Sequence, residues 1–325
     1  MRQKQKVYLR ADASKEIGYG HFFRCLALAD ILKECFDCTF FTQTPSLFQK
    51  EEISKLCSYV ELPSDSSKFH LFFDHISGGE IVVLDNYFYS GDYQKAIRDK
   101  GCHVICFGGN KNKYYSDIII SFTGLPESAF DKEDYTKVCS GLDWSILRRP
   151  FYTICESIEG NNDVFVSIGG SDSNCISEII IDILKQKAPN THIHLIATST
   201  FGENRLKRFE SDGVDVHVNI SAEEIKCLFA RSKFSIVSAS MTAIESLSQD
   251  VPTISGYYVD NQINLYKALT DGNYIIGIGD MRSKNLPREI ERAISILPDI
   301  QKCKNNIDVR LIPERYIDLF SSLCK

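Results

Sequence analysis

At 325 residues the chain has room for about two domains of ordinary size, and its 43% apolar and 25% charged content is that of a globular protein. A formal net charge of −6 and a pI near 5.7 speak against a nucleic-acid partner, which would need a basic stripe. No apolar run approaches the ~18 residues of a membrane span, and Val7-Tyr8-Leu9, behind Arg2, Lys4 and Lys6, is too short for a signal-peptide core. The expectation is a cytoplasmic protein with no integral membrane association.

Apolar patterning predicts strands over Val7–Ala11, Cys38–Thr42, Glu80–Leu84, His103–Phe107 and Asp117–Phe122, with helices over Gly20–Glu34, Pro45–Leu56 and Asp92–Lys100. Gly141–Asn162 carries Pro150, Gly160, Asn161 and Asn162 and has little periodicity, so it reads as a connection. The pattern then resumes. Strands are expected at Val164–Ile168, Ile193–Ala197, Val214–Val218, Phe234–Val237, Thr253–Ser255 and Tyr274–Ile278. Helices are expected at Asn174–Lys187, Asn204–Ser211, Ala222–Arg231, Thr242–Ser248, Gln262–Thr270, Pro287–Ile296 and Pro313–Cys324, the last free to pack on either domain. Such alternation implies right-handed βαβ units and parallel sheets. The fold class is α/β with two doubly wound, Rossmann-like domains: 1–145, a linker 146–162, and 163–325. Their strand C-terminal edges are available to face a central cleft, and ligands bind at such edges.

The twelve cysteines do not suggest a disulfide framework, because the chain is too large to need one. Most lie in apolar contexts and read as small buried hydrophobes. Cys35 and Cys38 have redox-motif spacing but fall between a helix and a strand, and no second pair completes a zinc site. No metal and no cofactor is expected.

Four segments carry polar groups at predicted strand ends. Gly18-Tyr19-Gly20-His21 follows the first strand and opens the first helix. Gly18 and Gly20 allow backbone to approach a ligand, the helix start offers unpaired N–H groups, and His21 is placed to move a proton at neutral pH. The competing reading is a histidine that only caps or packs. Gly169-Gly170-Ser171-Asp172 follows the strand Val164–Ile168; it suits a pyrophosphate, although many strand-to-helix turns use Gly with an Asp or Ser cap. In Ser238–Glu245, Ser240 and Thr242 can donate to phosphate, and Glu245, placed on the first turn of the next helix, can accept two ribose hydroxyls. A capping arrangement favoured by the helix dipole explains the same residues. Leu84-Asp85-Asn86-Tyr87 closes a buried strand with polar groups, as an active site or as a structural turn.

Together these segments resemble the pseudaminic-acid pathway hydrolases that act on UDP-2,4-diacetamido-2,4,6-trideoxy-β-L-altropyranose. Arg10–Ser14 with Ile17–Arg24 is similar to that family's opening, and Leu84–Tyr87 to its Asp-His-Tyr segment. Ser140–Phe151 is similar to its interdomain stretch, Ile168–Asp172 to its Gly-Gly-Thr/Ser-Asp loop, and Ser238–Glu245 to its nucleotide site. Asp260-Asn261-Gln262 is similar to its Asn-Gln pair. Asn86 stands where the family usually has His, and Trp144 where it usually has Tyr. The single motifs are shared with GT-B glycosyltransferases such as the lipid II-forming N-acetylglucosaminyltransferase.

The resemblance implies a GT-B-like fold, a UDP-sugar as partner, and hydrolysis of its anomeric C–O bond to UDP and free sugar. A nucleoside diphosphate is a stabilised anion and leaves without the general acid that glycosidases need. On that reading His21 is the base for water, and inversion at C1 follows. The amides near Gly169, Gly170 and Ser171, with Ser240 and Thr242, hold the diphosphate without a metal. Glu245 binds ribose, Asn261 and Gln262 make further contacts, and Asp12, Asn86 and Tyr87 are candidates for positioning sugar, water or His21. Two alternatives stay open: an inverting glycosyltransferase using the same His21 on a hydroxyl acceptor, and a nucleotide-sugar-binding protein without turnover.

Overall fold

The computed structural model describes residues 4–14, 17–109, 113–155, 162–169, 172, 174–300 and 307–324. The chain divides into two compact units, 1–149 with 310–325, and 150–309. In the first unit the elements run β1 (Lys6–Arg10), α1 (Gly20–Leu32), β2 (Asp37–Gln43), α2 (Leu47–Ser54), β3 (Ser58–Leu62), α3 (Ser67–His75) and β4 (Ile81–Leu84). They continue through α4 (Gly91–Asp99), β5 (His103–Phe107), β6 (Ile118–Ser121) and β7 (Lys137–Ser140). The second unit holds β8 (Asp163–Ser167), α5 (Ile176–Lys187), β9 (His192–Ala197), α6 (Glu203–Ser211), β10 (Asp215–Val218), α7 (Ala222–Arg231) and β11 (Ser232–Ser238). It closes with α8 (Met241–Ser248), β12 (Thr253–Tyr257), α9 (Ile263–Asp271), β13 (Ile276–Asp280) and α10 (Leu286–Ile300), before α11 (Ile312–Ser321) ends the chain.

Each unit is built on one wholly parallel sheet, of order β3-β2-β1-β4-β5-β6-β7 in the first and β10-β9-β8-β11-β12-β13 in the second. A parallel sheet covered by helices on both faces needs continuous apolar strands. Ile81-Val82-Val83-Leu84 is buried at every position, as is Ile118-Ile119-Ile120-Ser121. The order reverses between β1 and β4 in the first sheet and between β8 and β11 in the second. There the loops leaving adjacent strands turn to opposite faces, and ligands bind at such points.

Three elements carry no expectation from the sequence: β3, α3 and β7. The two strands are the edges of their sheet, and only the last residue of Ser58-Tyr59-Val60-Glu61-Leu62 is fully buried. An edge strand with one partner does not require the apolar run that identifies a central one. The second unit ends at Val309, and α11 belongs to the first unit, packing on α1. Phe320 meets Phe36 with ring centroids 5.9 Å apart, and the Tyr316 hydroxyl donates to the Trp144 carbonyl at 2.7 Å.

All the described cysteines, Cys35 and Cys38 among them, are free thiols. Burial pushes Cys38 and Cys106 up to about 12, which leaves both as inert packing groups. No helix among the described residues is long and apolar enough to cross a membrane.

Candidate functional site

At the β1/β4 junction, α1 starts at Gly20 and brings His21 to its second position. Tyr19, at the N-cap, supplies no side-chain hydrogen bond, and the first helical bond runs from the Phe23 N–H to the Tyr19 carbonyl at 3.0 Å. The amides of Gly20, His21 and Phe22 precede it and face outward from the helix start. Gly18 has φ +83, which an L side chain adopts only at a cost, so this glycine is dictated by the turn itself. Gly20 is different: a Cβ there would meet nothing within 4 Å, so the protein's own packing does not demand it.

The His21 imidazole is buried, and its Nδ1 lies 2.8 Å from Oδ1 of Asp85, the residue that follows β4. Arg24, one helical turn beyond His21, grips the same carboxylate. Its Nε donates to Oδ2 at 2.7 Å and its Nη2 to Oδ1. Arg24 in turn sits over the Phe107 ring, 4.5 Å from the centroid. Burial pulls the Asp85 carboxyl upward, but the charge of Arg24 and the His21 bond outweigh it and hold it below the usual carboxylate range. Asp85 is therefore an anion that can only accept. His21 Nδ1 has two neighbours, Asp85 Oδ1 at 2.8 Å and Arg24 Nη2 at 3.2 Å; the shorter contact, to a group that only accepts, favours the tautomer with Nδ1–H and the lone pair on Nε2. Tyr87 packs edge-on against the imidazole, centroids 4.7 Å apart, with half of its own surface open to solvent.

Asp12 does not orient His21. Its carboxylate turns into the sheet, where Arg10 Nη2 donates at 2.9 Å, Lys68 Nζ at 3.0 Å and the Gln43 N–H at 2.8 Å. Burial raises its pKa, and Arg10 and Lys68 outweigh that and lower it. Asn86 clamps the Asp12 backbone from both sides, accepting from its N–H at 2.7 Å and donating to its carbonyl at 3.3 Å. These two residues join the ends of β1 and β4, and the carboxylate in contact with His21 is that of Asp85. Neither Asp85 nor Arg24 was singled out from the sequence as a site residue. The signal lay in the polar ending of a strand four apolar residues long, but which of its polar residues turns toward His21 depends on strand order.

The β8/β11 junction carries the second constellation. Gly169 leaves β8 with φ +109, and a Cβ on it would come 2.9 Å from the Tyr258 hydroxyl, so the two are in close approach. Gln262 holds that tyrosine's backbone, its Oε1 accepting from the Tyr258 N–H at 3.0 Å, while Asn261 is exposed beside it. Gly170 and Ser171 lie outside the described residues. Two amides at the start of α5 are already paired: the Asp172 carboxylate takes the N–H groups of Ile176 at 2.9 Å and Ser177 at 3.0 Å. Arg205 neutralises it, donating from Nη2 at 2.7 Å.

The start of α8 is not filled in this way. Ser240 is its N-cap but makes no capping bond, its hydroxyl donating instead to the Ser238 carbonyl at 3.3 Å, and no acid lies in the first turn. Thr242, half-buried, stands on that turn beside the outward-facing amides. Glu245 is buried and lies just past the first turn, because the helix begins at Met241, one residue before the expected start. A helix start whose amides no side chain caps suits an anionic oxygen.

No protein-family model matches the chain. Among curated proteins it is 28% identical over 265 residues to the UDP-2,4-diacetamido-2,4,6-trideoxy-beta-L-altropyranose hydrolase of Campylobacter jejuni, covering 79% of this chain and 93% of that one. It is 26% identical over 282 residues to an uncharacterized protein of Methanocaldococcus jannaschii, of whose length it spans 57%. Among solved structures it resembles Acinetobacter baumannii MurG, with a TM-score of 0.64 at 12% identity over 98% of this chain and 99% of that one. It also resembles Anabaena Alr3699/HepE in complex with UDP, with a TM-score of 0.62 at 14% identity over 98% and 100%. The chain thus has the GT-B glycosyltransferase fold of two Rossmann-like sheets, and it is a distant homologue of a UDP-sugar hydrolase.

Proposed function

We propose that this protein hydrolyses the anomeric C–O bond of a UDP-linked 2,4-diacetamido-2,4,6-trideoxyhexose, giving UDP and the free sugar with inversion. The observation that carries the reading is the His21–Asp85 pair, an imidazole whose Nδ1 is held by a buried carboxylate and whose Nε2 is left basic. In the reaction His21 Nε2 takes a proton from water as the water oxygen bonds to C1. The C1–O bond breaks on the opposite face and its electron pair leaves with UDP. Asp85 stabilises the imidazolium that forms, as an anion fixed next to it before reaction begins. Tyr87 limits the ring's motion. In the second unit, Gly169 with the Ser240–Thr242 start of α8 would receive the diphosphate, and Glu245, Asn261 and Gln262 would serve the nucleoside. The distant homology to a UDP-sugar hydrolase supports the substrate class.

The test is UDP release from that UDP-sugar in buffer containing EDTA, with no added acceptor, comparing wild type with His21→Ala. Release by wild type that is lost in the variant supports the reading. Release that requires a second hydroxyl compound assigns the dyad to glycosyl transfer. UDP binding with no release from any tested UDP-sugar would leave a binding protein.

A further inference from the structure

Toward the N-terminal ends of the second unit's strands, at the end of the sheet opposite Gly169 and Ser240, imidazoles and carboxylates converge on β9 and β10. His192 and His194 alternate along β9 and so share one face, and Asp215 is the partner of His194 across the ladder. The ligand atoms of these three side chains all lie within 4.8 Å of one another. Asp215 Oδ2 is 3.3 Å from His192 Nδ1 and 3.6 Å from His194 Nδ1. Two ligands of a tetrahedral zinc ion, with bonds of ~2.0–2.1 Å, stand about 3.3–3.4 Å apart.

The surroundings set His194 up as a ligand. Its Nε2 lies 3.1 Å from Asp163 Oδ2, which is itself held by Arg231 Nε at 3.2 Å. With Nε2 on Asp163, His194 turns Nδ1 toward the Asp215 carboxylate and toward the His217 ring, with which it is hydrogen-bonded. His194 Nδ1, His192 and the Asp215 carboxylate thus converge within the span of one ion's ligands, an arrangement a cation completes. A ligating histidine whose second nitrogen is fixed by a carboxylate is the usual outer-shell design of protein metal sites. His217 Nε2 lies 3.1 Å from His194 Nδ1, within reach of a fourth position. His194 and Asp163 are buried, whereas His192 and Asp215 are exposed and give an ion a way in.

We propose that His192, His194 and Asp215 form a binding site for a divalent transition-metal ion, zinc by its donor set, with Asp163 orienting His194. Imidazole with one carboxylate suits zinc and its neighbours over magnesium or calcium, which take all-oxygen sites. The ion would clip the edge strand β10 to β9 and would not take part in the chemistry proposed for His21.

The experiment uses tag-free full-length protein stripped with chelator and titrated with Zn2+ by calorimetry, and with Co2+ by visible absorption. Expected are one equivalent of tight binding, a tetrahedral cobalt spectrum, and a melting temperature that rises with Zn2+ as ligand linkage requires. His192→Ala and Asp215→Asn should each weaken binding at least tenfold, and Asp163→Asn about 10–100-fold. His70→Ala, which removes an exposed histidine of the first unit, should change nothing. His192 and Asp215 are exposed, so their variants should fold, which melting in EDTA checks. The absence of saturable binding overturns the proposal. So does wild-type affinity in the His192 and Asp215 variants, or an equal loss in His70→Ala.

Discussion

Asp85 Oδ1 lies 2.8 Å from Nδ1 of His21, across 64 positions of sequence, because β1 and β4 are neighbours in the sheet and α1, which follows β1, starts beside the residue that leaves β4. The contact favours the Nδ1–H tautomer of the imidazole and fixes its place. A carboxylate gripped by Arg24 and inaccessible to water cannot take the proton away.

Removing the base should therefore abolish turnover while leaving binding intact. His21→Ala is expected to lower kcat by about 10²–10⁴-fold with KM little changed, the size of a general-base contribution. Asp85→Asn should lower kcat at least tenfold, since it leaves Arg24 without its ion partner and the ring without a fixed anion. Steady-state UDP release measures both. A variant that instead raises KM at unchanged kcat would show that these residues bind rather than react.

Asp12 answers to a different assay. Removing its carboxylate leaves Arg10 and Lys68 buried without their counter-ion, so Asp12→Ala should cost about 3–5 kcal/mol of stability. Urea denaturation measures this, and His21→Ala should show no comparable loss.

The acid side of the stability profile follows from the same groups. Asp12 and Asp85 both have carboxyls held below their ordinary range in the folded state. Their contribution is fully present above the unfolded value of about 4 and is lost as pH falls through the lower folded values. The urea midpoint should drop steeply below about pH 4, and more shallowly in a variant that already lacks Asp12.

Gly18 and Gly20 should separate under substitution. Gly18→Ala forces an L side chain to positive φ and should cost about 1–2 kcal/mol. Gly20→Ala meets open space and should change stability by no more than about 0.5–1 kcal/mol. If ligand backbone or sugar occupies that space, Gly20→Ala should still raise KM several-fold. Unchanged kinetics would remove Gly20 from the site.

Asp172 should behave as a cap. Asp172→Ala frees two amides of α5 and leaves Arg205 with Glu178 as its carboxylate partner and the backbone carbonyl of residue 172, and is expected to lower stability by about 0.5–2 kcal/mol from the cap alone. Thermal melting measures it.

Local chemistry made much of this protein legible in its sequence. The buried strands β4, β5 and β6 show as apolar runs because a central parallel strand must be apolar on both faces, and their alternation with helices implies two doubly wound sheets. Gly18 announces its turn because its backbone conformation allows little else, and His21 follows it directly in the chain, so that juxtaposition needs no tertiary knowledge. The edge strands β3 and β7 escaped because one side of them faces solvent and permits a mixed composition. Strand order alone decided the rest. It set Asp85 rather than Asp12 against His21, brought Lys68 to Asp12 and Tyr258 over Gly169, and gathered His192, His194 and Asp215 at one sheet edge. A side chain's partner across a sheet is set by which strands pair and in what register, and that is settled by packing of the whole core, not by the residues beside it in sequence.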